Sequence, residues 1–76
     1  MKTRDVPLRH HVARVLKDLR NAKGLTLDEV YKDTGIHVGR VESATSDIRL
    51  DTLVGLCRYY EISLSAFFKA VERQPD

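Results

Sequence analysis

Apolar residues in the first third of the chain recur at spacings of three and four positions, which is the pattern of one face of an amphipathic helix. They are Leu8, Val12, Val15, Leu16, Leu19 and Ala22. Pro7 stands where a helix can begin, because its missing N–H would have no intrahelical partner there. Gly24 is typical of a helix end. The pattern predicts a first helix over Leu8–Ala22.

The next segment opens with Thr26-Leu27-Asp28-Glu29, which fits a capping box. In that motif the Thr side chain accepts from a backbone N–H three residues on, and the Glu side chain reaches back. Leu27, Val30 and Tyr31 supply the apolar face of this second helix. The run lasts little more than two turns before Asp33-Thr34-Gly35, which favour a turn.

A third, short helix follows from about Ile36 to Ala44, because Ile36, Val38 and Val41 are again helix-spaced. Two of these residues are β-branched and Gly39 is a poor helix former, so the local propensity is low. Thr45-Ser46-Asp47 then predicts a loop.

Two more amphipathic helices account for the last third of the chain. The fourth, ending near Glu61, carries Leu50, Leu53, Val54, Leu56, Cys57 and Tyr60. Ser63 is the expected cap of the fifth, which carries Leu64, Phe67, Phe68 and Val71. No run alternates as a strand should. We predict an all-α, compact five-helix bundle, with an arm at residues 1–7, a domain at 8–72 and a tail at 73–76.

The composition fits one small folded domain, with 76 residues of which 42% are hydrophobic and 32% charged. The net charge of +2 is small, but its distribution is uneven. Residues 1–24 hold seven basic and two acidic side chains, a net charge of +5, whereas residues 25–76 hold six basic and nine acidic, a net charge of −3. The basic end could face an anionic partner.

Other classes of protein are disfavoured. A single cysteine, Cys57, cannot form an internal disulfide and is expected to be a buried apolar residue. The longest uncharged stretch, seven residues, is too short to span a membrane, and the N-terminus lacks the apolar run of a secretory signal. His10 and His11 are adjacent and point about 100° apart on a helix, so they cannot share a metal ion. We expect a cytoplasmic protein that is not an enzyme and needs no cofactor.

Two short helices joined by a tight turn at Gly35, behind a basic helix, form a helix-turn-helix arrangement. From Leu16 to Val71 the chain resembles the lambda-repressor-like, or XRE, family of helix-turn-helix regulators. The resemblance rests on the order and spacing of several segments: Leu19-Arg20-Asn21-Ala22-Lys23-Gly24-Leu25-Thr26, Asp28-Glu29-Val30, Thr34-Gly35-Ile36, Val38-Gly39-Arg40-Val41-Glu42, Leu50-Asp51-Thr52-Leu53 and Ile62-Ser63-Leu64.

The resemblance implies a sequence-specific, DNA-binding transcriptional regulator that binds a palindromic operator in double-stranded DNA as a homodimer. It also implies that the third helix reads the bases, and that Glu42 near its end pairs with Arg20 as a structural ion pair. The alternative is a protein-interaction module of the same fold, such as an antitoxin-like partner with weak DNA binding.

The chain departs from the family pattern in three places. The segment from Gly35 to Glu42 is about three residues shorter than the commonest pattern, which leaves Arg40, His37 and Ser43 as candidate base contacts. Leu27 stands where the family often has Gln. The loop after the reading helix, often rich in Gly and basic residues, has Arg49 as its one basic residue.

Each candidate has an alternative role. Arg40 can donate two hydrogen bonds to guanine or pair with a neighbour or a phosphate, and His37 can contact a base or simply lie at a solvated helix start. The candidate phosphate contacts are Lys17, Lys23, Thr26, Thr45, Ser46 and Arg49, with Lys2 and Arg4 as a further arm. Phe67 and Phe68 are candidate dimer contacts, although adjacent residues cannot both face one core.

Overall fold

The computed structural model describes residues 8–44 and 47–75, which form five α-helices and contain no strand. The helices are α1 (Leu8–Ala22), α2 (Leu27–Thr34), α3 (Val38–Glu42), α4 (Leu50–Tyr59) and α5 (Leu64–Glu72). The all-α, five-helix prediction is confirmed, and α1 has the predicted bounds. No helix in this part of the chain has the length and apolar character needed to cross a membrane.

A single apolar core forms because every helix turns at least one apolar side chain inward. The helix α1 packs against α3 and α5, α2 packs against α3, and α4 packs against α5. The core residues are Val12, Val15, Leu16, Val30, Val38, Leu53, Leu56, Cys57, Tyr60, Phe67 and Val71. Full burial of a Leu or Phe side chain contributes about 1.5–3 kcal/mol, so the largest of them dominate the stability of the fold.

The helix α2 begins and ends where its local signals place it. Thr26 Oγ1 accepts from the Glu29 N–H at 3.1 Å, and Glu29 Oε1 accepts from the Thr26 N–H at 2.8 Å, which completes the capping box. Gly35 then takes a left-handed conformation with φ 76° and donates its N–H to the Tyr31 carbonyl at 2.7 Å. A residue with a Cβ is strained in that conformation.

The third helix is shorter than the predicted Ile36–Ala44, because the chain is diverted at both of its ends. Before it, the Thr34 hydroxyl donates to the Val30 carbonyl at 2.7 Å and accepts from the Ile36 N–H at 3.0 Å, so Ile36 belongs to the turn. After it, Ala44 has φ 57°, which is left-handed and ends the helix.

The fourth helix ends at Tyr59, two residues before Glu61, because Glu61 also adopts a left-handed φ, of 61°. The Ile62 N–H reaches back to the Cys57 carbonyl at 2.9 Å and closes the turn. Cys57 is buried, as predicted, and burial raises the pKa of its thiol, which keeps it in the unreactive protonated form. Ser63 caps α5 by accepting from the Ala66 N–H at 3.1 Å.

A side-chain hydrogen bond fastens the end of α2 to α4. The Tyr59 hydroxyl donates to Asp33 Oδ2 at 2.5 Å. This bond, ahead of the smaller effect of burial, raises the pKa of Tyr59 to about 12. The contact holds the turn of the helix-turn-helix against the rest of the bundle.

Two glycines should respond in opposite directions to replacement by alanine. Gly35→Ala is expected to destabilise the fold by about 1 kcal/mol, because an L-residue is strained at φ 76°. Gly55→Ala lies within α4 with no atom near the added methyl, and is expected to stabilise by about 0.5–1 kcal/mol. Chemical denaturation measures both, and a stabilising Gly35→Ala would contradict the assigned helix end.

The Tyr59–Asp33 hydrogen bond should lose its stabilising effect at high pH. Because the pKa of Tyr59 is raised in the folded state, its contribution is complete below the ordinary tyrosine pKa of about 10 and is lost as the pH rises towards about 12. In a titration followed by phenolate absorbance, Asp33→Asn should lower the midpoint of one tyrosine, and Tyr59→Phe should remove that transition. An identical curve for Asp33→Asn would show that the bond is absent.

Candidate nucleic-acid interface

The side chains of Arg20 on α1 and Glu42 on α3 form a two-pronged ion pair. Arg20 Nε donates to Glu42 Oε2 at 2.7 Å, and Arg20 Nη2 donates to Oε1 at 2.9 Å. The remaining prong, Nη1, donates to the Leu25 carbonyl at 2.7 Å. One guanidinium therefore ties together α1, the segment before α2 and the end of α3.

This ion pair is strong because its partners are shielded from water and aligned. The Arg20 and Glu42 side chains are 11% and 8% exposed, and charge-assisted bidentate hydrogen bonds are about twice as strong as neutral ones. The hydrogen bonds to Glu42 raise the pKa of Arg20, although burial acts in the opposite direction. The structure brings together the two residues that the family resemblance pairs, and so fixes α3 relative to α1.

The three candidate base contacts lie on or beside α3 and differ in the contacts that their side chains make within the protein. Arg40 is exposed and has no hydrogen bond or ion pair from its side chain within the described residues. The ring of His37 stacks on Tyr31, with centroids 4.3 Å apart and an interplanar angle of 22°. The Ser43 hydroxyl donates to the Arg40 carbonyl at 2.7 Å. Arg40 is the candidate with an unengaged charge to offer a ligand.

The candidate phosphate contacts also differ in what they already bind. Lys17 on α1 and Arg49, which precedes α4, are exposed and have no ionic partner in the described part of the chain. Lys23 Nζ contacts Glu61 Oε1 at 2.7 Å, so it can reach a phosphate only by giving up this pair. The Thr26 N–H donates to Glu29 Oε1, so the group that Thr26 has left to donate to a phosphate is its own hydroxyl. Thr45, Ser46, Lys2 and Arg4 lie outside the described residues.

Arg9 on α1 contacts both Ala44 and Asp47, which the pattern of the sequence does not predict. Arg9 Nε donates to the Ala44 carbonyl at 3.1 Å, and Arg9 Nη1 lies 3.8 Å from Asp47 Oδ1. Helical periodicity places Arg9 on the polar face of α1 but carries no information about a carbonyl 35 residues away. The first turn of α1 therefore contacts the chain on both sides of residues 45–46.

An apolar groove lies between the start of α2 and the start of α3, and is called the α2–α3 groove below. It is lined by Leu27, Asp28, Tyr31, His37, Val38 and Gly39. Helical spacing places Leu27 and Tyr31 on the apolar face of α2, but their side chains are 45% and 43% exposed. Only Val30 of that face is fully covered, because α2 has little more than two turns.

The two candidate dimer contacts separate into an inner and an outer residue. Phe67 is 0% exposed, so the dimer contact expected of it is wrong: its ring is part of the monomer core. Phe68 is 38% exposed and lies one helical turn from Leu64, which is 39% exposed. These two side chains form an apolar strip on α5 that is open to solvent in one copy.

Comparison with known families supports the arrangement. The sequence profile of a family described as helix-turn-helix matches residues 16–67, about two thirds of the chain. No curated protein and no solved structure gives a match. The matched range runs from α1 to Phe67 on α5 and contains Arg20, Glu42, the groove and every candidate base contact.

Glu42→Gln is expected to destabilise the fold by about 2 kcal/mol or more, because it leaves the shielded Arg20 guanidinium without its counter-charge. Glu61→Gln is the matched control, because it breaks the ion pair between Lys23 and Glu61. The Glu61 side chain is 78% exposed, so this change should alter stability far less. Urea denaturation compares the two variants. Equal, small changes would show that the Arg20 pair contributes no more than a surface ion pair.

Proposed function

We propose that this chain, which belongs to the lambda-repressor-like (XRE) helix-turn-helix family of DNA-binding regulators, binds a palindromic operator as a symmetric dimer and reads its bases with α3. In this architecture the second helix of the motif lies in the major groove, and the first helix crosses the DNA backbone. Here these helices are α3 and α2.

The observation that carries the proposal is the combination of a fixed α3 and an unengaged Arg40 on it. The Arg20–Glu42 ion pair holds α3 at its last residue, and Val38 anchors it in the core at its first. Arg40 lies between the two anchors and is exposed. Bidentate hydrogen bonds from an arginine to guanine O6 and N7 discriminate bases by about 1–3 kcal/mol. We assign this role to Arg40, with His37 and Ser43 as neighbouring contacts.

Backbone phosphates are the proposed ligands of the basic side chains around α3. Arg14 and Lys17 are exposed on α1 and have no ionic partner within the described residues. Arg49 lies at the start of α4, on the other side of α3 along the chain. Thr26 can add its hydroxyl at the start of α2. Contacts of this kind fix the register of the protein on DNA without reading sequence.

The apolar strip of Leu64 and Phe68 is the proposed contact between two copies. Their exposure leaves apolar area that a second α5 can cover. Two-fold symmetric dimers of this class bind half-sites about one helical turn apart, which explains why a palindromic operator is expected.

A protein-interaction module is the second candidate function. It is favoured by the net charge of −3 over residues 25–76 and by the engagement of Lys23 with Glu61, both of which weaken attraction to DNA. The two functions differ in their response to salt, since each neutralised phosphate contributes about −0.9 to the slope of log affinity against log salt concentration.

We expect binding to duplexes selected from a random DNA pool to weaken steeply with salt. Lys17→Ala should weaken binding to all sequences alike and reduce the slope by about 0.9 per copy, whereas Arg40→Ala should abolish the preference for guanine at one position of each half-site. Arg58→Ala, which removes an exposed cation near the end of α4, is the control and should change neither.

Salt-insensitive, weak binding to every duplex would contradict the regulator function and favour the interaction module. Uniform losses from both Arg40→Ala and Lys17→Ala would show that Arg40 contacts a phosphate and not a base.

A further inference from the structure

Contacts within the protein fix the shape of the α2–α3 groove. The Thr26–Glu29 capping box fixes the first turn of α2, which carries Leu27. At the other side the Tyr31 ring is held flat against His37. The walls of the groove are therefore set before any ligand arrives.

Gly39 leaves the groove open where it meets α3. A Cβ placed on Gly39 would lie 3.7 Å from Leu27 Cδ1, which is ordinary van der Waals contact. Leu27 therefore lies directly beside the first turn of α3. In a helix-turn-helix it is the N-terminal residues of the second helix that meet base edges, so the groove adjoins the bases that α3 reads.

The ligand that fits an apolar groove at this place is narrowly defined. Among the groups that base edges present in the major groove, the C5 methyl of thymine is the apolar one. Among the described residues, the groove lining includes Asp28 but no Lys or Arg, and Lys32 Nζ lies 3.6 Å from Asp28 Oδ2. The lining therefore offers a phosphate no lysine or arginine as counter-charge, whereas a neutral methyl group needs none.

We propose that the α2–α3 groove binds the C5 methyl group of a thymine in each half-site, with Leu27 as the residue that determines this specificity. This inference rests on the proposed function, and it identifies thymine as a base that residues of both α2 and α3 would contact. Leu27 thus contributes apolar contact where the family often places a polar side chain. The groove favours thymine over cytosine, because cytosine has no methyl group and presents an N4 amino group instead.

The test uses the full-length chain and a duplex obtained by selection from random DNA. Each thymine is replaced in turn by deoxyuridine, which removes the methyl group and leaves base pairing intact. At one position per half-site we expect wild-type affinity to fall about fourfold, the effect of withdrawing one buried methyl group. Leu27→Ala should bind the thymine and deoxyuridine duplexes equally.

Leu50→Ala is the matched control for Leu27→Ala. Leu50 is the first residue of α4 just as Leu27 is the first residue of α2, it is also exposed, at 69% against 45%, and it belongs to neither the groove nor the apolar strip on α5. It should keep the fourfold discrimination, whatever it does to overall affinity.

Gly39→Ala provides a second variant that does not depend on removing an apolar side chain. Its added methyl group makes only ordinary contact with Leu27 and favours the helical conformation of α3, so the fold is retained. Because that methyl group narrows the groove beside Leu27, Gly39→Ala should also weaken the preference for thymine over deoxyuridine.

Several outcomes would overturn the inference. Salt-dependent binding in which no thymine responds to loss of its methyl group would refute the methyl site and leave the regulator function standing. Full thymine discrimination in both Leu27→Ala and Gly39→Ala would place the methyl contact elsewhere. Absence of DNA binding would refute both proposals.

Discussion

The guanidinium of Arg20 holds the proposed DNA-reading helix in place. A helix of five residues is too short to be stable by itself, since nucleation costs more than so few hydrogen bonds return. The helix α3 has one buried side chain, Val38, at its start and the Glu42 ion pair at its end. Its orientation therefore depends on α1 through Arg20. The buried Val38 and the Arg20–Glu42 ion pair therefore also fix the positions of the exposed Arg40 and of the α3 side of the groove.

Local signals predicted the fold well where the physics is local. The capping box at Thr26 and the left-handed Gly35 act within a few residues, so α2 could be located from sequence. The ends of α3 could not, because they depend on the Thr34 hydroxyl and on a left-handed Ala44, a residue with no preference for that conformation. The exposure of Leu27 was missed because periodicity shows which residues share a face, not how much of it a neighbour covers.

The candidate site was less predictable because its contacts join distant residues. The Arg20–Glu42 pair, 22 residues apart, came from the family resemblance and not from a local rule. No resemblance pointed to the pairing of Lys23 with Glu61, or of Arg9 with Ala44 and Asp47. Through these contacts Arg9 and Lys23 already pair with acidic residues of the same chain. The positive charge that residues 1–24 can offer a partner is therefore smaller than their net charge of +5 suggests.

The brevity of α3 limits how much sequence one copy can read. Five helical residues extend about 7.5 Å, and successive base pairs are about 3.4 Å apart, so in the proposed mode of binding the helix would lie alongside about two base pairs. A given pair of base pairs recurs by chance about once in 16 positions, since the major groove distinguishes all four base pairs. Contacts from one copy of α3 would therefore specify only a small part of the target DNA sequence. In the proposed dimer, most of the information that selects a site would reside in the separation of the two copies and in the shape of the DNA between them.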